Sequence, residues 1–163
     1  VRIMDGGWKR WLDEGRPVAT GEEKFDRSEF RGRRRSEAIA GRVEVEAALS
    51  GSGALLVNAL SAEQFAGSGG THYGRPGRIP GSVSCPAADI VDPATGRFRP
   101  LDEIRRRLEP LGEDRPIIAY CGGGIAATAA YFALHALGRD RLSVYDNSLL
   151  EWSAEPDLPM EEG

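Results

Sequence analysis

An uncharged stretch of 23 residues constrains the fold of this chain more than any other segment. It covers residues 116–138 and reads PIIAYCGGGIAATAAYFALHALG. Its length and apolar character would suit a membrane-spanning helix. Three successive glycines argue against that interpretation, because each would cost about 1 kcal/mol in a helix interior. A buried strand, a tight glycine loop and a buried helix explain the stretch better.

The strand is predicted over residues 117–120, because this apolar run is too short for a helix and lies between Pro116 and the glycines. The helix is predicted over residues 126–137, closing on Gly138 as a C-terminal cap. Glycines let successive backbone N–H groups point into one concavity, and the start of a helix adds partial positive charge. The stretch therefore predicts a cradle for an anion.

Cys121 opens this loop, where the positive surroundings favour the thiolate, the nucleophilic form of cysteine. A cysteine-dependent phosphatase would need an arginine six residues later, and that position is Ala127. A nucleotide-binding P-loop would need Lys-Ser or Lys-Thr after the glycines, and neither follows. The pattern favours a smaller task, in which the cysteine accepts a sulfur atom as a persulfide and passes it on. A buried, inert cysteine beside a tight turn is the alternative.

The composition limits the partners that we expect. The chain has 163 residues and a net charge of -4 with both signs well mixed, so neither nucleic acid nor a membrane is predicted as a partner. Its two cysteines, Cys85 and Cys121, are too few for a disulfide scaffold or a Cys-rich zinc site, and no metal or other cofactor is predicted. No signal-peptide pattern follows Arg2 and Asp5, so a cytoplasmic location is expected.

The beginning of the chain resembles a segment near its other end. Two matched pairs share an offset of 141 residues and a third follows one inserted residue: Asp5 and Asp146, Trp11 and Trp152, Pro17 and Pro159. A repeat at domain-sized spacing predicts two copies of one unit. We therefore expect residues 1–18 to be the end of a preceding copy, residues 19–36 a linker and residues 37–160 one domain. Chance similarity between two short segments is the alternative.

Within that domain, apolar runs alternate with amphipathic segments. Strands are predicted over residues 54–59 and 142–145, with a further short strand near residue 83. Helices are predicted over residues 41–49, with Val43, Ala47 and Leu49 facing the core, and over residues 101–111. Strands separated by helices predict an α/β fold, in which helices cover both faces of a central parallel sheet.

The order of these segments resembles a known family. The segments that carry the resemblance are LLVNALSAEQFAG (residues 55–67), GRIPGSV (77–83), LDEIRRRLEPLG (101–112), PIIAYCGGGIAAT (116–128), VYDNSLLEW (144–152) and DLPM (157–160). They resemble the second, catalytic domain of tandem rhodaneses, the thiosulfate and 3-mercaptopyruvate sulfurtransferases, and the first residues resemble the end of their first domain. The resemblance implies a rhodanese-like three-layer fold.

The resemblance also implies an activity and a site. Cys121 would take a sulfane sulfur from thiosulfate or 3-mercaptopyruvate as a persulfide and hand it to cyanide or a thiol. The active-site loop would consist of five residues: Gly122, Gly123, Gly124, Ile125 and Ala126. A neutral loop of this kind is nearer to the members that use 3-mercaptopyruvate. The carboxylate of that donor would need a cation, for which Arg75 and Arg78 are the candidates.

Three departures from the family pattern leave a second function open. Asn58-Ala59-Leu60 stands in place of Asp-x-Arg, so a structural ion pair is expected to be lost. Arg78 replaces the usual His of the Gly-His-Ile-Pro-Gly motif, and Asn147-Ser148-Leu149 replaces Gly-Ser-Trp. The alternative is therefore a rhodanese-fold binding or regulatory module that no longer turns over. A redox sensor is a third possibility, which would require a second thiol near Cys121.

Overall fold

The computed structural model describes residues 2–33, 35–112 and 115–163. Val1 and Arg34, which belong to the predicted end of a preceding copy and to the predicted linker, lie outside the described residues. The described part contains one five-stranded sheet whose paired strands are all parallel. Its strands are β1 (Ile39–Ala40), β2 (Leu55–Asn58), β3 (Val83–Ser84), β4 (Ile117–Tyr120) and β5 (Leu142–Tyr145). They lie in the order β1-β5-β4-β2-β3.

Six α-helices accompany the sheet in the described part of the chain. They are α1 (Gly7–Asp13), α2 (Arg42–Leu49), α3 (Ala62–Ala66), α4 (Leu101–Leu108), α5 (Ile125–Ala136) and α6 (Ser148–Trp152). Short 3₁₀ turns cover Ser36–Ala38, Ala87–Asp89 and Glu109–Leu111. No helix among the described residues is long and apolar enough to cross a membrane.

The sheet is covered on both faces. Every residue of β2 and β4 is buried, and alternate residues of a strand point to opposite faces, so both faces need a covering layer. Helix α5 packs against β4 and β5, while α2 packs against β1 and β2. The predicted α/β architecture with a central parallel sheet is therefore confirmed.

The predicted strand over residues 117–120 coincides with β4. The helix predicted from residue 126 begins one residue earlier in the structure, at Ile125. The prediction for α2 was wrong about its buried face. Val43 is 72% exposed, whereas Val45 is fully buried. The helix is therefore rotated, with Val45 rather than Val43 directed toward the core. Strand β1, at the edge of the sheet, was not predicted.

The strand order creates a switch point in the sheet, between the neighbouring strands β2 and β4. From β2 the chain continues to β3 on one side, whereas from β4 it continues to β5 on the other, and β2 and β4 are neighbours. Parallel sheets bind ligands at the carboxyl ends of strands that diverge in this way. Cys121 directly follows β4 and therefore lies at this switch point.

The first residues pack on this domain. The Asp5 carboxylate accepts hydrogen bonds from the backbone N–H of Phe98 at 2.8 Å and from Nε of Arg97 at 3.0 Å. The bond from Phe98, followed by that from Arg97, lowers the pKa of Asp5. Residues 14–33 form no helix or strand and are exposed. The assignment of residues 1–18 to a preceding copy stays a prediction.

Candidate active site

The thiol of Cys121 lies at the end of a buried strand. The residue is 2% exposed, and it stands between β4 and the glycine loop that leads into α5. The adjacent Gly122 is also buried, whereas Gly123 and Ile125 are exposed. A ligand can therefore approach the loop from the side of Gly123 and Ile125.

Three hydrogen bonds attach this loop to the turn that follows β5. The backbone N–H of Cys121 donates to Oγ of Ser148 at 3.0 Å. In the opposite direction, the N–H of Leu149 donates to the carbonyl of Cys121 at 3.1 Å, and that of Leu150 donates to the carbonyl of Gly122 at 2.9 Å. The backbone at Cys121 is thus fixed by the segment that follows the neighbouring strand β5.

The backbone amides that follow the cysteine have no hydrogen-bond partner in the described part of the chain. Among the described residues, none of the N–H groups from Gly122 to Ala126 donates a hydrogen bond to a protein acceptor. They lie at the positive end of α5, whose first N–H groups have no intrahelical acceptor. Gly124 has a φ of +83°, which turns the chain into the helix. The arrangement can hold an anion such as a thiolate or a persulfide.

A tyrosine covers part of the loop. If Gly122 carried a Cβ, that atom would lie 2.1 Å from Cζ of Tyr73. The half-buried phenol of Tyr73 therefore rests on the backbone directly after Cys121. Only a glycine leaves room for the ring in this position.

The segment that carries Tyr73 is fixed to the core. The hydroxyl of Tyr120, at the end of β4, accepts a hydrogen bond from the N–H of Ile79 at 3.0 Å. It forms a second hydrogen bond with Oγ of Ser82 at 2.8 Å. Burial raises the pKa of Tyr120 and outweighs these bonds. The Ser153 hydroxyl donates to the carbonyl of Tyr73. The covering ring is thus held by a buried network.

A groove of about 370 Å³ opens beside the loop. Its lining residues are Gly123, Asp146, Asn147, Leu150 and Glu151. Oδ1 of Asp146 would lie 2.6 Å from a Cβ placed on Gly124, so this carboxylate borders the amide cradle. Glu151 accepts a hydrogen bond from the Tyr145 hydroxyl, and burial, followed by this bond, raises the pKa of Tyr145. The groove carries negative charge at its rim.

The two arginines proposed for the donor carboxylate have other partners. The guanidinium of Arg75 donates to the backbone carbonyls of Ser153 at 3.0 Å and Glu155 at 2.7 Å, beyond the end of α6. Arg78 is 8% exposed, stacks on the Phe65 ring and pairs with Glu161. To bind a donor, either guanidinium would have to exchange these partners for the substrate. Their role at the site stays a prediction.

The second cysteine is separated from the first. Cys85 follows β3, Cys121 follows β4, and β2 lies between these strands. Two strand spacings amount to about 10 Å, beyond the roughly 7 Å that a disulfide can bridge. Burial, followed by the charge of Asp89, raises the pKa of Cys85 to about 12. The geometry therefore gives no support to a redox pair.

The first departure from the family pattern lies in the core. Asn58 and Leu60 are both buried, and neither side chain ionises, so no ion pair forms between them. Oδ1 of Asn58 accepts from the N–H of Leu60 at 2.8 Å. Its Nδ2 makes no hydrogen bond within the described part of the chain, although the amide lies near enough to the Tyr120 hydroxyl to oppose the rise in the pKa of that tyrosine.

The structure brings together the cysteine and the five predicted loop residues, and it adds two residues to which the sequence assigned no role. Tyr73 rests on Gly122, and Ser148 binds the amide of Cys121. Two signals in the sequence pointed to Ser148. It is the one residue of Asn147-Ser148-Leu149 that keeps the Gly-Ser-Trp pattern, and in the predicted repeat it falls opposite Gly7, which has no hydroxyl.

Comparison with known proteins identifies the family of this chain. Residues 42–155 match the family described as Rhodanese-like domain, and this match covers more than half of the chain. The chain belongs to the rhodanese-like family. The sulfur carrier protein TtuD of Thermus thermophilus is 32% identical over 100% of this chain and 62% of its own length. The 3-mercaptopyruvate sulfurtransferase of Escherichia coli K12 is 29% identical over 99% of this chain and 58% of its own length.

A solved structure extends the comparison. The anaerobic ergothioneine biosynthesis enzyme from Chlorobium limicola, in complex with trimethyl histidine, superposes with a TM-score of 0.86 at 27% identity. The match covers 99% of this chain and 41% of that enzyme. The chain thus spans about three fifths of the length of the two curated relatives, and less of the enzyme.

Proposed function

We propose that this chain is a sulfurtransferase in which Cys121 carries a sulfane sulfur as a persulfide. The observation that supports this most strongly is the set of unpartnered amides from Gly122 to Ala126 directly after a buried cysteine. Such amides stabilise an anionic sulfur without a phosphate-binding arginine. Sulfurtransferase names among the relatives support the same reaction class.

In the first half-reaction the Cys121 thiolate attacks the outer sulfur of the donor. With thiosulfate, the sulfur–sulfur bond breaks and sulfite leaves with the electron pair. With 3-mercaptopyruvate, the carbon–sulfur bond breaks, pyruvate leaves as its enolate, and the thiol proton ends on the methyl carbon. Both routes leave a persulfide anion on Cys121, beside the amides of the cradle.

In the second half-reaction a thiophilic acceptor removes the outer sulfur. Cyanide attacks it, the persulfide bond breaks, and thiocyanate leaves while the Cys121 thiolate is regenerated. A thiol acceptor would instead carry the sulfur away as its own persulfide. The exposed groove beside Gly123 is the approach that we propose for the acceptor, because Tyr73 covers the neighbouring side of the loop.

The setting of the reaction is part of the proposal. Both cysteines are free thiols, as expected for a protein of the reducing cytoplasm. A preceding rhodanese domain would be a further partner, since the curated relatives are longer than this chain. Such a domain would contribute walls to the exposed rim near Ile125 and Leu150, which are 85% and 59% exposed.

A second candidate is a rhodanese-fold module that binds a partner without turnover. The occupied guanidinium groups of Arg75 and Arg78 favour it, because neither now offers a cation to a donor carboxylate. The open amide cradle favours the enzyme. A binding module has no need for unpartnered N–H groups beside a cysteine.

Steady-state transfer to cyanide separates the two candidates. Thiocyanate production is measured with thiosulfate and with 3-mercaptopyruvate for the unmodified protein, Cys121→Ser and Cys85→Ser. The proposal expects turnover that Cys121→Ser abolishes and Cys85→Ser retains. Absence of turnover with either donor, from a folded protein, would favour the binding module.

A further inference from the structure

We propose that the Ser148 hydroxyl positions Cys121 for sulfur transfer by holding its backbone N–H. This inference rests on the proposed function, since it assigns a positioning residue to that reaction. Ser148 is fully buried, and its Oγ both accepts from the N–H of Cys121 at 3.0 Å and donates to the carbonyl of Tyr145 at 2.7 Å. One hydroxyl thus joins the carboxyl ends of β4 and β5.

The backbone of Ser148 is unusual for its residue type. Its φ is +51°, and it is the one residue other than glycine with a positive φ in the part of the chain that the structure describes. Side chains disfavour this left-handed region, and serine is not among the residues that relieve the cost. Such conformations persist where another requirement outweighs the strain.

The internal repeat supplies a comparison within the same molecule. Gly7 lies 141 residues before Ser148 and has a φ of +55°, and each residue begins a helix. Trp11 and Trp152, which share the same offset, each donate an indole N–H to a proline carbonyl, at 2.8 Å and 2.9 Å. The two segments match from the first helical residue onward, because the residues before it, Gly6 and Asn147, differ in backbone conformation.

The comparison with Gly7 indicates that the left-handed turn does not require the hydroxyl. At Gly7 the same left-handed start of a helix is made by glycine, which adopts it without strain. The turn at Ser148 therefore needs no side chain, and a serine there adds strain together with a hydroxyl. That hydroxyl is the acceptor for Cys121, so we infer that its contact with the reactive residue is what the serine supplies.

The bond also bears on the geometry of the cradle. Because the N–H of Cys121 is directed to Ser148, the amides open to a bound sulfur begin at Gly122. Loss of the hydroxyl would leave the Cys121 N–H buried without an acceptor, so the peptide would rotate to find one. Small displacements of a reacting atom reduce rates steeply.

Two substitutions test the inference, because they remove the same hydroxyl with opposite effects on strain. Ser148→Gly relieves the left-handed backbone as Gly7 does, whereas Ser148→Ala retains the strain. Ser143→Ala, in β5, is the control, since its hydroxyl makes no hydrogen bond among the described residues. The readouts are thermal unfolding, amide hydrogen exchange at Cys121, and the rate of persulfide formation at saturating donor.

We expect Ser148→Gly to unfold at or above the temperature of the unmodified protein and Ser148→Ala to unfold below it. Both should form the persulfide at least about tenfold more slowly at saturating donor, with little change in KM, and both should lose exchange protection at Cys121. A Ser148→Gly variant with unchanged rate and protection would overturn the inference. So would rates that follow unfolding temperature across the variants.

Failure of the proposed function has a different signature. If the unmodified protein takes no sulfur from either donor, sulfur transfer is wrong for this chain. Amide exchange at Cys121 and the unfolding temperatures need no sulfur donor, and they still show whether Ser148 anchors Cys121. Unchanged exchange protection in both variants would then reject the anchor as well.

Discussion

The phenol ring of Tyr73 rests on Gly122, at a distance that excludes any side chain at the glycine. A Cβ there would lie between 2.1 and 2.4 Å from three ring carbons. The backbone of Gly122 itself is outside the left-handed region, so the ring, and not the backbone, requires the glycine. These two residues lie far apart in the sequence, and their contact closes one side of the site.

This contact predicts a coupling between the two positions. Gly122→Ala should destabilise the fold by about 1–3 kcal/mol, because the ring must move out of its packed position. In a Tyr73→Ala background the same change should cost much less, since the obstructing ring is gone. Urea unfolding of the two single variants and the double variant measures the coupling. Additive effects would show that the ring does not rest on Gly122.

Cys85 predicts a fall in stability at alkaline pH. Its pKa is raised from 9.0 to about 12 in the folded protein, mainly by burial. Between these values the unfolded chain loses the thiol proton while the folded chain keeps it. Stability should therefore fall as the pH rises above about 9. Urea unfolding between pH 8 and pH 10.5 measures this slope.

The control for that slope is Cys85→Ala. Its absolute stability will be lower because of the cavity, but its loss of stability with pH should be shallower. The raised pKa values of Tyr120 and Tyr145 act on both proteins alike, so the difference between the slopes belongs to Cys85. Parallel slopes would show that the thiol ionises equally in both states.

The negative rim of the groove predicts a charge preference among donors. Asp146 borders the cradle at Gly124 and makes no ion pair among the described residues. Asp146→Asn should lower KM about two- to threefold for thiosulfate, and less for the singly charged 3-mercaptopyruvate. Asp102→Asn, on the exposed side of α4, is the matched control. The gain should shrink as salt is added.

A KM for thiosulfate that is unchanged or raised in Asp146→Asn would contradict this account of the rim. An equal gain in the Asp102→Asn control would show instead that overall net charge, and not the rim, sets the preference. Comparison of the two donors at two salt concentrations distinguishes these results.

Substitution of Arg78 should destabilise the fold more than substitution of an exposed arginine. Its guanidinium donates to the carbonyls of Phe65 at 3.2 Å and Gly163 at 2.9 Å and pairs with Glu161. Arg78→Met keeps an apolar stem on Phe65 but removes these bonds, and should destabilise the fold by about 1–3 kcal/mol. Arg106→Met, which removes an exposed ion pair at 3.8 Å, should cost under about 0.5 kcal/mol.

Thermal or urea unfolding of both variants decides the point. Equal, small losses would mean that the buried bonds of Arg78 contribute no more than a surface pair. An increase in KM for 3-mercaptopyruvate, without loss of stability, would instead restore Arg78 as a donor-binding residue.

The sequence predicted β4, its loop and α5 to within one residue, because Pro116 and the glycines bound these elements locally. It missed β1, since a two-residue edge strand has no periodicity to detect. It also misplaced the buried face of α2, where eight residues carry a weak pattern and the sheet decides which side is covered.

Part of the site depends on contacts that no local pattern encodes. Tyr73 meets Gly122 only because the segment after α3 folds back over the end of β4. The sequence gives no local sign of the left-handed backbone at Ser148, because serine ordinarily avoids that conformation. The repeat with Gly7 was the one trace of it in the sequence.

The carrier role of Cys121 is the central claim, and intact-mass spectrometry tests it most directly. The reduced protein is exposed to thiosulfate or to 3-mercaptopyruvate and then to cyanide, with Cys121→Ser treated in parallel. We expect a gain of one sulfur atom that maps to Cys121, that cyanide removes as thiocyanate, and that Cys121→Ser does not acquire. No gain with either donor from a folded protein, or a gain that persists in Cys121→Ser, would contradict the account.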